Sequence, residues 1–165
     1  MPCGKGPKTY LAFFIRISLF IFRPRTIKET REHLYKKVRT THWSHEAVDK
    51  VIDHLIELKF LDDKEFINYL VTSRTRTKVK GIYAIKQELN RFGVDKELVE
   101  EYFSNNKINE EALAEKALRH RWEIFKNLPK QKRFEKASSY LRSRGFSFDV
   151  SRKIIDKMER KNDIM

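Results

Sequence analysis

The chain has 165 residues, 40% of them apolar and 36% charged, with a net charge of +13. That balance supports packed cores and excludes wholesale disorder, while five glycines and four prolines supply too few turns for a β-sandwich or barrel. A single cysteine, Cys3, excludes a disulfide framework, a CxxC pair and a zinc finger, and fits a reducing cytoplasm.

In chain order, Tyr10 to Phe22 is an apolar run interrupted by Arg16 and Ser18 and preceded by Lys5 and Lys8. It is shorter than the ~20 residues that span a bilayer, and no small-x-small cleavage site follows it. A buried or partner-facing helix is expected there, not a membrane anchor. Thr26 and Glu29 then form a Thr-x-x-Glu capping box. A link through Trp43 leads to a helix from Ser44, with Val48, Val51, Ile52, Leu55 and Leu58 on one apolar face.

The stretch from Leu61 carries the most complete signals. Asp62 is a good N-cap, Glu65 sits at N3, and Leu61 and Phe66 have the spacing of a hydrophobic staple. Adjacent acids such as Asp62 and Asp63 could also suggest metal ligands or a general acid–base pair. They point about 100° apart on a helix, however, and no His or Cys nearby completes a site. Gly93 ends a later helix as a left-handed C′ residue, with Val94, Asp95 and Val99 starting the next.

Two segments align at an offset of 52: Leu89, Gly93, Val94, Leu98, Tyr102 and Phe103 fall on Leu141, Gly145, Phe146, Val150, Ile154 and Ile155. The preceding helices align at an offset of 47, placing Phe66, Leu70, Val71 and Arg74 on Leu113, Ala117, Leu118 and Arg121. The pattern predicts an all-α fold of three tandem three-helix units, residues 1–61, 62–108 and 109–165, each too small for a large core of its own. Neighbours should therefore pack into an elongated array. The alternative is one compact bundle whose helices stop in similar ways.

The charge is uneven. Residues 74–91 hold Arg74, Arg76, Lys78, Lys80, Lys86 and Arg91 against Glu88 alone. Residues 119–144 hold Arg119, Arg121, Lys126, Lys130, Lys132, Arg133, Lys136, Arg142 and Arg144 against Glu123 and Glu135. Both stretches occupy the same place in their repeat, so stacking could form a basic stripe that attracts polyanions by counterion release and steering. A solvated face with no partner is the simpler alternative.

Enzyme chemistry finds no motif. The five histidines make no HExxH, and no GxSxG or P-loop pattern is present. His42 and His45 lack a Cys or carboxylate at ligand spacing, so no metal, cofactor or catalytic residue is expected. Trp122 reads as core, not as a base-stacking platform. Acids at the starts of the helices after Gly93 and Gly145 disfavour sequence-specific helix-turn-helix readout.

Leu61, Asp62, Asp63, Phe66, Arg74, Gly81, Ile85, Glu88, Leu89, Gly93 and Val94, in that order, resemble the core motif of the RecX family, small bacterial regulators of the RecA recombinase. Arg23-Pro24-Arg25-Thr26 ahead of Glu29 and Leu34 is similar to the family's first unit, whereas in the core motif Ile67 departs from the small residue usual after the aromatic that Phe66 represents. The resemblance implies tandem three-helix units in an elongated, curved array, acting in the cytoplasm. It further implies binding in the groove of the RecA–DNA filament, hindering filament extension, ATP turnover, strand exchange and co-protease activity. Arg74, Arg76, Lys78, Lys80, Arg91, Arg119, Arg121, Arg142 and Arg144 are the expected attachment residues, on a chain expected to be a monomer with at most weak non-specific DNA binding of its own. A basic helical DNA-binding module acting without RecA is the alternative, and a membrane adaptor using Tyr10–Phe22 a further one.

Overall fold

The computed structural model describes residues 23–38 and 44–163; the Tyr10–Phe22 segment, His42 and Trp43 lie outside them. Eight α-helices and no strands occur among the described residues. They are α1 (Ile27–Val38), α2 (His45–Glu57), α3 (Asp63–Arg76), α4 (Ile82–Arg91), α5 (Lys96–Asn105), α6 (Glu110–Phe125), α7 (Lys130–Ser143) and α8 (Phe148–Asp163).

The local signals act where expected. Asp62 accepts from Lys64 N (2.8 Å) at the start of α3, Asp95 from Glu97 N (2.7 Å) at the start of α5, and Ser44 Oγ from Ala47 N (3.2 Å). Gly93 and Gly145 take φ of +77° and +82°. Their turns share one hydrogen-bond pattern, since Val94 N donates to Leu89 O and Phe146 N to Leu141 O, both at 3.2 Å. The repeat inferred from spacing is therefore a repeat of hydrogen bonds as well. One expectation fails. Leu58 is half exposed, because α2 ends at Glu57 and Lys59 turns the chain with φ +56°.

The chain packs as two compact units. Described residues up to Tyr69, with Leu89–Glu100, form the first; Leu70–Glu88, with those from Glu101 onward, form the second. Helices α3, α4 and α5 thus contribute to both.

In the first unit Leu34, Val48, Val51, Ile52, Leu55 and Leu61 form a buried cluster between α1, α2 and the following link. Thr26, fully buried, caps α1 by accepting from Glu29 N (3.0 Å) and donates its hydroxyl to Phe92 O (2.8 Å). Glu29 turns to Arg23 at 2.6 Å, and that guanidinium lies over the Phe92 ring. Asp63 Oδ1 accepts from Ile27 N (3.0 Å), so the two adjacent acids cap two different helices. Burial raises the Asp63 pKa, with the Ile27 N–H opposing it and Asp62 adding to it.

A raised folded-state pKa means that ionised Asp63 costs stability above its own pKa. Asp63→Asn keeps the acceptor without the charge. It is expected to match or exceed the native chain in urea unfolding at pH 7, with the difference shrinking as pH falls through the carboxylate range. Asp63→Ala is expected to lose about 1 kcal/mol at pH 7.

In the second unit Ala114, Ala117, Leu118, Trp122, Ala137, Leu141, Phe146, Ile154 and Ile155 pack between α6, α7 and α8, and Val79 joins them from the α3–α4 link. Trp122 is core, as its setting in the sequence suggests. Lys153 reaches Glu111 (3.2 Å), Lys157 and Lys161 share Glu115 (2.6 and 2.9 Å), and Arg133 meets Glu159 (3.1 Å). Hydrogen bonds from the two lysines hold the Glu115 carboxyl at about 2.

The two units share one way of closing. The first backbone N–H of a helix (Ile27, Ile82) donates to an acid at the start of a later helix (Asp63, Glu110; 3.0 and 3.2 Å). The residue before it (Thr26, Gly81) bonds the carbonyl just ahead of a positive-φ glycine, Phe92 O or Arg144 O. Asp63 and Glu110 stand 47 apart, and Phe92 and Arg144 stand 52 apart, the two offsets seen in the sequence.

Candidate nucleic-acid interface

Eight of the nine expected attachment residues belong to the second unit; Arg91, the last residue of α4, belongs to the first. The segment that carries four of them, Arg74 to Lys80, includes the end of α3 and the link to α4. This link is held at several points. Gly81 N donates to Arg144 O at 2.9 Å, Arg144 Nη1 reaches Val79 O at 3.5 Å, and Lys116 Nζ donates to Thr75 O and Arg76 O at 3.2 and 3.1 Å. Basic residues far apart in sequence are thereby gathered around one link.

Their roles differ. Arg74 Nε and Lys80 Nζ both pair with Glu88, Arg74 at 2.7 Å, and all three side chains are largely buried. Burial is the largest single influence on Glu88 and raises its pKa. The hydrogen bonds and charges of Lys80 and Arg74 together outweigh it, and the carboxyl titrates below the ordinary range. Arg121 and Arg144 lie over the ring of Tyr140 at 5.8 and 5.2 Å, a cation–π arrangement that keeps both guanidiniums extended without neutralising them. Arg76, Lys78, Arg119 and Arg142 are exposed and make no ion pair among the described residues. Within the other basic stretch, Lys126 is taken up by Glu123, and Lys130 and Arg133 by Glu159.

Of three further participants, two escaped the charge pattern. Glu88 was legible as the one acid among six cations. Tyr140 precedes Arg144 by four residues, a spacing that brings helical side chains together. Lys116 gave no signal, since its acceptors lie 40 and 41 residues away. Among the described residues no His, Cys, Asp and Glu group could hold a metal, and no helix is long and apolar enough to cross a membrane.

The family model for the second three-helix domain of RecX matches residues 62–102. The chain is similar to regulatory protein RecX of Bacillus velezensis and of Bacillus subtilis strain 168, each 29% identical over 96% of this chain and 59% of the relative. It therefore spans about three fifths of the length of those relatives. Among solved structures, RecX from Lactobacillus salivarius superposes with a TM-score of 0.75 at 20% identity, covering 92% of this chain and 97% of that one. A second structure, of regulatory protein RecX, gives 0.71 at 21% identity, covering 90% and 72%. The chain resembles the RecX family through nearly its whole length, and it shares the all-α helical repeat fold of those structures.

Proposed function

We propose that this chain regulates the RecA recombinase, mainly as an inhibitor, by lying in the groove of the RecA–DNA filament. There it would modulate ATP hydrolysis, strand exchange and co-protease activity, acting as a cytoplasmic monomer of three successive three-helix units. The similarity to regulatory protein RecX over 96% of the chain carries this reading. The gathering of separated basic residues around one link of the second unit gives it a physical means, because a fixed cationic surface suits a polymer with regularly repeated negative charge. The deciding measurement is the RecA ATPase on single-stranded DNA with increasing amounts of this protein. Hydrolysis should fall in a saturable way. A rate unchanged at a several-fold excess over RecA removes the basis of the proposal.

A further inference from the structure

The four cations from Arg74 to Lys80, at the α3–α4 link, divide into two already occupied and two left to solvent among the described residues. Arg74 and Lys80, at its two ends, converge on one carboxylate, Glu88. Between them Val79 is buried in the core, Lys80 N donates back to Arg74 O (3.1 Å), and Lys116, Arg144 and Gly81 fasten the backbone from the side. Only Arg76 and Lys78, within this fastened stretch, project as exposed cations outside any ion pair. Lys116 also covers the last carbonyls of α3, whose partial negative charge would otherwise oppose an approaching anion.

Resting on the filament-binding role proposed above, we propose that this link presents Arg76 and Lys78 to phosphates of a nucleic-acid backbone, and that Glu88 is a positioning residue. Glu88 acts through Arg74 and Lys80, which touch no partner. A link fixed before binding loses less freedom when two phosphates dock on it. The distinguishing consequence is one of sign. Removing an acid from a polyanion-binding surface raises affinity on electrostatic grounds alone, whereas loss of a positioning residue lowers it.

The test is fluorescence anisotropy of a labelled single-stranded oligonucleotide, bare and RecA-coated, across a range of salt. Circular dichroism confirms that each variant is folded. The double variant Arg76→Gln with Lys78→Gln should bind bare DNA more weakly, with a salt slope shallower by about 1.4. Glu88→Gln should weaken binding roughly three- to tenfold, Glu88→Asp should recover part of that loss, and Glu88→Gln should add nothing to the double variant.

Stronger binding by folded Glu88→Gln overturns the positioning role. An unchanged salt slope in the double variant overturns the phosphate contact and, should Glu88→Gln not fold, decides the proposal alone. Binding only to RecA-coated DNA through these same residues would assign them to an acidic protein surface, which also overturns it. If instead the DNA results hold while RecA ATPase is unaffected, the regulatory role falls and the phosphate site stands.

Discussion

Gly81→Ala and Gly145→Ala are each expected to cost about 3–5 kcal/mol, the range of the larger core substitutions, and to lower the melting temperature by roughly 10 °C. Gly93→Ala is expected to cost only about 1–2 kcal/mol. Gly93 and Gly145 end helices in matching turns, whereas Gly81 precedes one, and the three meet different neighbours. A methyl on Gly81 would overlap the Gly145 carbonyl oxygen and sit 2.8 Å from Phe146 N; both are backbone atoms that cannot move without opening the turn. A methyl on Gly145 would overlap the Ala84 methyl and lie 2.7 Å from Ala84 N, in addition to the strain of φ +82°. At Gly93 the obstacle is the Lys28 side chain, whose far end can swing away, so the left-handed backbone accounts for most of the cost. Thermal and urea unfolding of the three variants check the ranking. Equal losses at Gly93 and Gly145 would show that backbone conformation, not close approach, makes glycine necessary.

The second large effect is on binding. Reversing Arg76, Lys78, Arg119 and Arg142 to glutamate is expected to weaken association with RecA-coated DNA by at least about a hundredfold near physiological salt, with a salt slope shallower by about 4. These four are the exposed, unpaired members of the basic set in the second unit, so their reversal leaves the buried Glu88 pairs and the α6–α8 ion pairs intact. A control chain with Lys96, Lys107, Arg152 and Arg160 reversed carries the same net charge, from exposed positions outside the basic stretches. Surface plasmon resonance on immobilised filaments separates the two. Comparable losses in both chains would mean that overall charge attracts the filament without a dedicated surface.

Much of this architecture was legible because its signals are local. Asp62, Asp95 and Ser44 cap helices two or three residues on, and Gly93 and Gly145 mark turns whose hydrogen bonds close within six residues. Two offsets in the spacing of apolar residues revealed the repeat. What escaped notice spans longer separations. Asp62 caps α3 from nearby, whereas its neighbour Asp63 caps α1, 36 residues away. Glu110 and Lys116, both in α6, do the same kind of work for α4 and α3. The basic stretches illustrate the same limit. Charge counting marked the segment, yet only the fold separates Arg74 and Lys80, occupied by Glu88, from Arg76 and Lys78 beside them. Leu58 was misassigned because helical periodicity carries on past the residue at which the chain turns.

The first unit closes across 36 residues between Ile27 and Asp63 and across 66 between Thr26 and Phe92. During synthesis at about 5–20 residues per second, α1 would emerge from the ribosome roughly 3–13 s before the carbonyl that receives the Thr26 hydroxyl. For that interval α1 has α2, the link through Leu61 and the Asp63 cap beside it, but not the carbonyl that holds Thr26. Nascent chains stalled with Phe92 still inside the ribosome should therefore be more open to protease and chaperone than chains stalled with Val99 already emerged.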